Sequence, residues 1–171
     1  LVQNSFLEDA PMIAVSAKTG EGIAELKSKI KEIASKIPQR KNEMVTRLPI
    51  DRSFTIKGFG AVATGTLVSG EIKIADEMEV LPIGQKVRVR GLQTHGKSVE
   101  IARDGQRTAV NLGGIDHSQV QRGQTLAPFD TLRPTQIFDA EIEVLKDAKK
   151  PLKSRMRVRV HVGTLEALAR I

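Results

Sequence analysis

The chain has 171 residues, 40% of them hydrophobic and 27% charged, with five Phe and no Tyr, Trp or Cys. That is room for one ordinary domain or two small ones on an aliphatic core, and it excludes disulfides, thiolate metal sites and an aromatic platform for stacked bases. The net charge of +7 suits a polyanionic partner such as RNA and a merely solubilising surface equally well, while no apolar run approaches the roughly 18 residues of a membrane span.

Residues 12–15 form a short apolar run between Pro11 and Ser16 and are expected to be a strand. Ile23, Leu26, Ile30, Ile33 and Ile37 then recur at helical spacing, and Pro38 ends the stripe. Strand, loop and helix make one edge of an α/β domain, so residues 1–40 are assigned to the C-terminal remnant of such a domain. Residues 41–47 are polar and aperiodic and read as a linker. From 48 to 130, short β-branched segments (54–70, 77–84, 86–96 and 107–114) alternate with Gly, Pro, Asn and Asp, the spacing of a small barrel. Residues 131–171 are assigned to the truncated start of a second barrel. Its expected strands are 137–145 and 155–163, joined by a turn at 146–154. The start at Leu1, without Met, reads as part of a larger protein. The fold class is thus mainly β.

The glycine-rich stretch IDRSFTIKGFGAVATGTLVSGEI, 50–72, raises the possibility of a phosphate loop. Such a loop follows a buried strand and opens a helix, so that backbone N–H groups meet the anion. After Gly60 the sequence is instead rich in Val and Thr, and the last Gly of the stretch, Gly70, is not followed by Lys-Ser or Lys-Thr. The stretch reads as a hairpin.

Arg52 stands out within it. Leu48, Ile50, Phe54 and Ile56 alternate onto one strand face, and Arg52 falls among them. A charge there needs a partner or an anion, a position at a barrel rim, or a bulge that shifts the register. Two further strands carry cations on one face: Lys86, Arg88 and Arg90 oppose Val87 and Val89, while Arg155, Arg157, Arg159 and His161 oppose Met156, Val158, Val160 and Val162. Faces of this kind are often simply solvated. His95 and His117 lie in polar turns, and no metal site or nucleophile arrangement is legible.

Two groups of residues carry a resemblance. Ser16-Ala17-Lys18, in VSAKTGEG between an expected strand and helix, resembles the last guanine-contacting motif of GTPases. GFGAVATGTLVSGEIKIADEMEVLP, VRVRGLQTHGKSVEIARDGQRTAVNLGGI and VQRGQTLA resemble the second domain of translational GTPases of the elongation factor Tu type. PIDRSFTIKGFGAVATGTLVSGEI and GQRTAVNLGGI are most similar to the selenocysteine-specific branch.

The resemblance implies a GTPase using GTP and Mg that carries selenocysteyl-tRNA to the ribosome in the cytoplasm, with no DNA partner. It implies that Asp51, Arg52 and Arg107 line the aminoacyl pocket, and that Lys86, Arg88, Arg90, Arg155, Arg157 and Arg159 are candidate tRNA phosphate contacts. No phosphate loop is read, and the Asp-x-x-Gly and Asn-Lys-x-Asp motifs do not occur, so this chain by itself is expected neither to bind nor to hydrolyse GTP. The alternatives are a general translational GTPase of the Tu or initiation-factor type and a non-catalytic interaction barrel.

Overall fold

The computed structural model describes residues 5, 7–37, 44–56, 58, 60–145, 148 and 150–171. They fall into two compact units, Leu1–Lys41 and Asn42–Ile171.

In the first unit the apolar stripe forms helix α1, Ile23–Lys36. None of its residues is buried, and Ile30, Ile33 and Ile37 are exposed. The strand expected at 12–15 is absent. A strand needs a neighbour to take its N–H and C=O groups, and no described strand pairs with this run.

The second unit is built on a closed six-stranded antiparallel barrel. Its strands are β1 (Leu48–Ile56), β2 (Gly60–Thr66), β4 (Glu77–Leu81), β5 (Gln85–Thr94), β8 (Arg107–Gly113) and β9 (Thr125–Pro128). The order is β4-β9-β1-β2-β8-β5, and β4 pairs back onto β5 to close it. Closure leaves no edge within the ring, which removes the hazard of unpaired backbone. Three short strands decorate it: β6 (Lys97–Val99) extends β5, and β3 (Glu71–Lys73) pairs with β7 (Ile101–Arg103).

The core is aliphatic, as the composition requires, with Leu48, Ile50, Leu67, Ile72, Leu126 and Val110 all fully buried. The glycine-rich stretch is the β1–β2 hairpin, and Lys57 and Phe59 at its tip lie outside the described residues. Of the linker, residues 41–43 also lie outside them. Its remainder is tied to the barrel by a bridge between Arg47 and Ser69 and by Ser69 Oγ donating to the Val45 carbonyl at 2.6 Å.

Beyond the barrel, the strand expected at 137–145 is not formed. Its alternating pattern is genuine, but no described strand pairs with it, and Ile137 is 87% exposed. The second expected strand exists as β10, Arg157–Val162, and its partner is β11, Leu165–Arg170. The two-residue connection Gly163–Thr164 therefore replaces the expected pairing with 137–145. Arg155 lies outside β10, and Val162, expected on the inner face, is 59% exposed beside the turn.

Candidate functional site

The position of Arg52 is decided by a bulge. Ile50 pairs with Gly65 and Arg52 with Thr64, so Asp51 is an extra residue and the two together oppose Thr64. A bulge of this kind bends the strand and re-aims its side chains. Leu48 and Ile50 point into the core, but beyond Asp51 the apolar alternation is lost. Phe54 and Ile56 are each 40% exposed, and Ser53 turns inward to donate to the Val120 carbonyl. Arg52 therefore lies on the outer surface and not on the apolar face that strict alternation predicts.

The same bulge gathers a polar cluster. Asp51 accepts a bidentate pair of hydrogen bonds from Arg107, one from Nη1 and one from Nη2 at 3.0 Å, and a third from Thr64 Oγ1 at 3.0 Å. Arg107 reaches it from the start of β8, whose residues Thr108, Val110 and Leu112 face the core, leaving Arg107 on the outer face. The Arg107 guanidinium, ahead of the Thr64 hydroxyl, holds the Asp51 carboxyl below the usual carboxylate range, and Asp51 in turn raises Arg107. A lowered acid pKa contributes stability above the ordinary aspartate value, lost as pH falls through the lowered one. The pair is therefore fully ionised at neutral pH. The Arg52 carbonyl accepts a weak hydrogen bond from Thr64 Oγ1 at 3.3 Å. Its guanidinium makes no hydrogen bond or ion pair among the described residues and acts on Asp51 only through its charge, so the cluster holds two guanidinium groups against one carboxylate.

Arg107 also lines a cleft of about 290 Å³ with Thr64, Gln93, His95, Gly96, Thr108 and Ala109. His95 and Gly96 form the two-residue turn between β5 and β6, both left-handed with φ of 51° and 75°. That turn type is common in tight hairpins and usually recruits Asn, Asp or Gly, and here it carries the imidazole at the cleft margin. The sequence reading brought together Asp51, Arg52 and Arg107. It missed Thr64, Gln93 and His95; His-Gly between two β-type runs was the available signal for the last of these. A second cleft, of about 270 Å³, is lined by Ile83 and four glutamines and carries no charge.

The cationic strands differ from one another in what is left for an anion. Lys86, Arg88 and Arg90 are exposed on β5, with Val87 and Val89 buried opposite. The Lys86 ammonium lies 3.7 Å from the centre of the Phe129 ring, and Glu79 and Glu77 pair across from Lys86 and Arg88. On β10, Arg159 is bound to Glu166 at 3.1 Å, whereas Arg157 stands directly across from Arg170. Like charges so placed repel, and an anion between them relieves that repulsion. In the first unit, Ala17 and Lys18 are exposed in a turn closed by Gly20 N–H donating to the Ser16 carbonyl at 2.8 Å. Among the described residues no group of three or more His, Asp or Glu side chains is placed to hold a metal, and no helix is long and apolar enough to cross a membrane.

Comparison with known proteins agrees with this architecture. Residues 60–127 match the family Elongation factor Tu domain 2. The selenocysteine-specific elongation factor of Desulfomicrobium baculatum is 46% identical over 168 residues, which is 98% of this chain and 26% of that protein. The protein of the same name from Methanocaldococcus jannaschii is 35% identical over 96% of this chain and 36% of its own length. The chain thus spans about a quarter to a third of these curated relatives. Among solved structures, a bacterial selenocysteine-specific elongation factor superposes with a TM-score of 0.83 at 33% identity, over 96% of this chain and 28% of that one. Translation elongation factor SelB of Methanococcus maripaludis, bound to a GTP analogue, gives 0.80 at 35% identity, over 95% and 36%. Residues 60–127 are thus an elongation factor Tu domain 2, and nearly the whole chain is homologous to one part of the proteins named selenocysteine-specific elongation factor.

Proposed function

We propose that the barrel holds the aminoacylated end of selenocysteyl-tRNA, and that the full-length protein carries that tRNA to the ribosome in a GTP-dependent way. The observation that carries this reading is the outer-face cluster at the β1 bulge, where Arg107, gripped by Asp51, lines a cleft and Arg52 stands beside it without an acid partner. A selenol is more acidic than a thiol, so at neutral pH the selenocysteine side chain is an anion. Two guanidinium groups remain charged at any relevant pH and offer it several donors. Serine on the same tRNA is neutral and leaves those donors poorly used, so the site both attracts one side chain and disfavours the other.

The cations outside the cleft would meet tRNA phosphates, which orient the RNA without reading its sequence. Arg157, facing Arg170, and Arg90 are the best placed of them. Arg159 and Lys86 are already engaged, and Arg88 and Arg155 contribute less specifically. In the first unit, Ser16, Ala17 and Lys18 would hold the guanine of GTP: Ala17 N–H makes no hydrogen bond among the described residues, and Lys18 is exposed beside it. GTP, with Mg, supplies the switch that commits and releases the tRNA.

The test is protection of the aminoacyl ester from hydrolysis by the full-length protein with GTP. Selenocysteyl-tRNA should be protected at concentrations at least 100-fold lower than seryl-tRNA, a factor of about 3 kcal/mol. Equal protection of the two would point to a general aminoacyl-tRNA carrier, and no protection of either to an interaction barrel.

A further inference from the structure

The Ile50 carbonyl, immediately before the bulged Asp51, accepts two hydrogen bonds. One comes from Gly123 N–H at 3.0 Å, within the barrel. The other comes from Thr164 Oγ1 at 2.7 Å, from the tip of the β10–β11 hairpin, 114 residues away. The hairpin is seated closely there. A Cβ on Gly163, which is left-handed at φ 57°, would lie 3.2 Å and 3.3 Å from the Pro49 ring atoms Cβ and Cγ. One on Gly123 would meet Leu165 Cδ1 at 3.1 Å. The tip therefore rests on both residues that precede the bulge and on the loop that returns to it.

From this geometry we infer that Thr164 is a positioning residue for the Asp51–Arg107 pair, and that the β10–β11 hairpin acts as a latch on the pocket.

A bulge has no second ladder bond to fix its extra residue. Asp51 is oriented by what holds the peptide before it and by the groups its carboxylate binds. Thr64 and Arg107 supply the second part, and Gly123 and Thr164 the first. Withdrawal of the hairpin removes one of the two hydrogen bonds to the Ile50 carbonyl. Asp51 is then less firmly placed against Arg107, and the bidentate anchor of the guanidinium loosens. The hairpin thereby couples its own placement to the charge geometry of the cleft. The consequence for tRNA rests on the aminoacyl-pocket reading, but the coupling to Asp51 does not.

The experiment compares Thr164→Val, which keeps the shape and removes the hydroxyl donor, with Thr164→Ser, which keeps the donor. The first readout is the carbon-detected titration of the Asp51 carboxyl in this chain, with the thermal midpoint recorded alongside. Thr164→Val should move the Asp51 midpoint up towards ordinary aspartate, and Thr164→Ser should restore it. The second readout, in the full-length protein, is the ratio of selenocysteyl- to seryl-tRNA protection. It should fall about two- to tenfold in Thr164→Val, the size expected for one neutral hydrogen bond, and recover in Thr164→Ser. An Asp51 titration unchanged in Thr164→Val, or a shift that Thr164→Ser fails to reverse, overturns the positioning role. A shifted Asp51 with an unchanged tRNA ratio supports the latch and overturns the pocket reading instead.

Discussion

Gly65→Ala is expected to cost the barrel on the order of 3 kcal/mol, the upper end for overpacking a core. Gly65 lies in β2 between Ile50 on β1 and Thr108 on β8. A Cβ there would overlap the Pro49 carbonyl oxygen and come within 2.8 Å of Leu48 Cδ2. The first obstacle is backbone and cannot swing aside. The second belongs to a fully buried side chain in a close-packed core. Relief requires β1 to part from β2, which also unmakes the bulge that presents Asp51. Gly91→Ala is the matched control: it is a second strand glycine without a left-handed backbone, and its nearest neighbour would be Asn111 Cβ at 3.9 Å. Thermal unfolding followed by circular dichroism should show a fall of more than about 10 °C for Gly65→Ala, given the roughly 4–8 °C per kcal/mol of a domain this size. Gly91→Ala should move it by less than about 3 °C. Equal effects at the two positions would contradict the close approach of β1 and β2 at the bulge.

Arg107→Ala is expected to weaken selenocysteyl-tRNA binding by about two to four powers of ten and seryl-tRNA binding by less than tenfold. Hydrogen bonds to charged groups contribute roughly 1.5–3 kcal/mol each, so two to a selenolate amount to about 3–6 kcal/mol. The substitution does more than remove donors, because it also leaves Asp51 as an unpaired anion beside the incoming one. Asp51→Asn is the informative companion. It removes the anchor but not the cation, so a smaller loss is expected, carried by a looser Arg107. Arg107→Lys should not restore binding, since an ammonium cannot span a carboxylate and a selenolate with a planar fork. Because the Asp51–Arg107 pair is ionised around neutral pH, the loss of selectivity as the selenol is protonated should come from the selenol and not from this pair. An equal loss for both tRNAs would make Arg107 a general RNA contact.

The barrel itself was legible because its signal is periodic and repeated. Val87 and Val89 alternate with Lys86, Arg88 and Arg90, and the structure buries the first set and exposes the second. What escaped were features that alternation cannot encode. At β1 a register-shifting bulge is among the alternatives open for Arg52, but alternation alone cannot select it: one extra residue at Asp51 reverses the phase, and Phe54 and Ile56 end outside. Strand β11 is LEALAR, a string of good helix formers, and only its pairing with β10 makes it extended. The opposite error arose at 137–145, where the alternation is good but no described partner takes up the backbone. At the site, Arg52 drew attention because a charge broke an apolar pattern, while Asp51 entered only through the resemblance. Arg107 broke none, since its strand already expected a polar residue there, and only the resemblance singled it out. Gln93 and Thr64 are ordinary exposed-face residues of their strands, brought to the cleft by register between distant segments.

The most direct measurement is a map of backbone amide shifts in this chain on adding a hydrolysis-resistant 3′-selenocysteylamido-adenosine, with the seryl compound as comparison. The pocket reading predicts that the shifts gather at Thr64, Gln93, Gly96, Arg107 and Ala109 and are larger for the selenolate compound. Shifts of equal size for both compounds, or shifts confined to the glutamine-lined cleft at Gln85, Gln119 and Gln124, would contradict it.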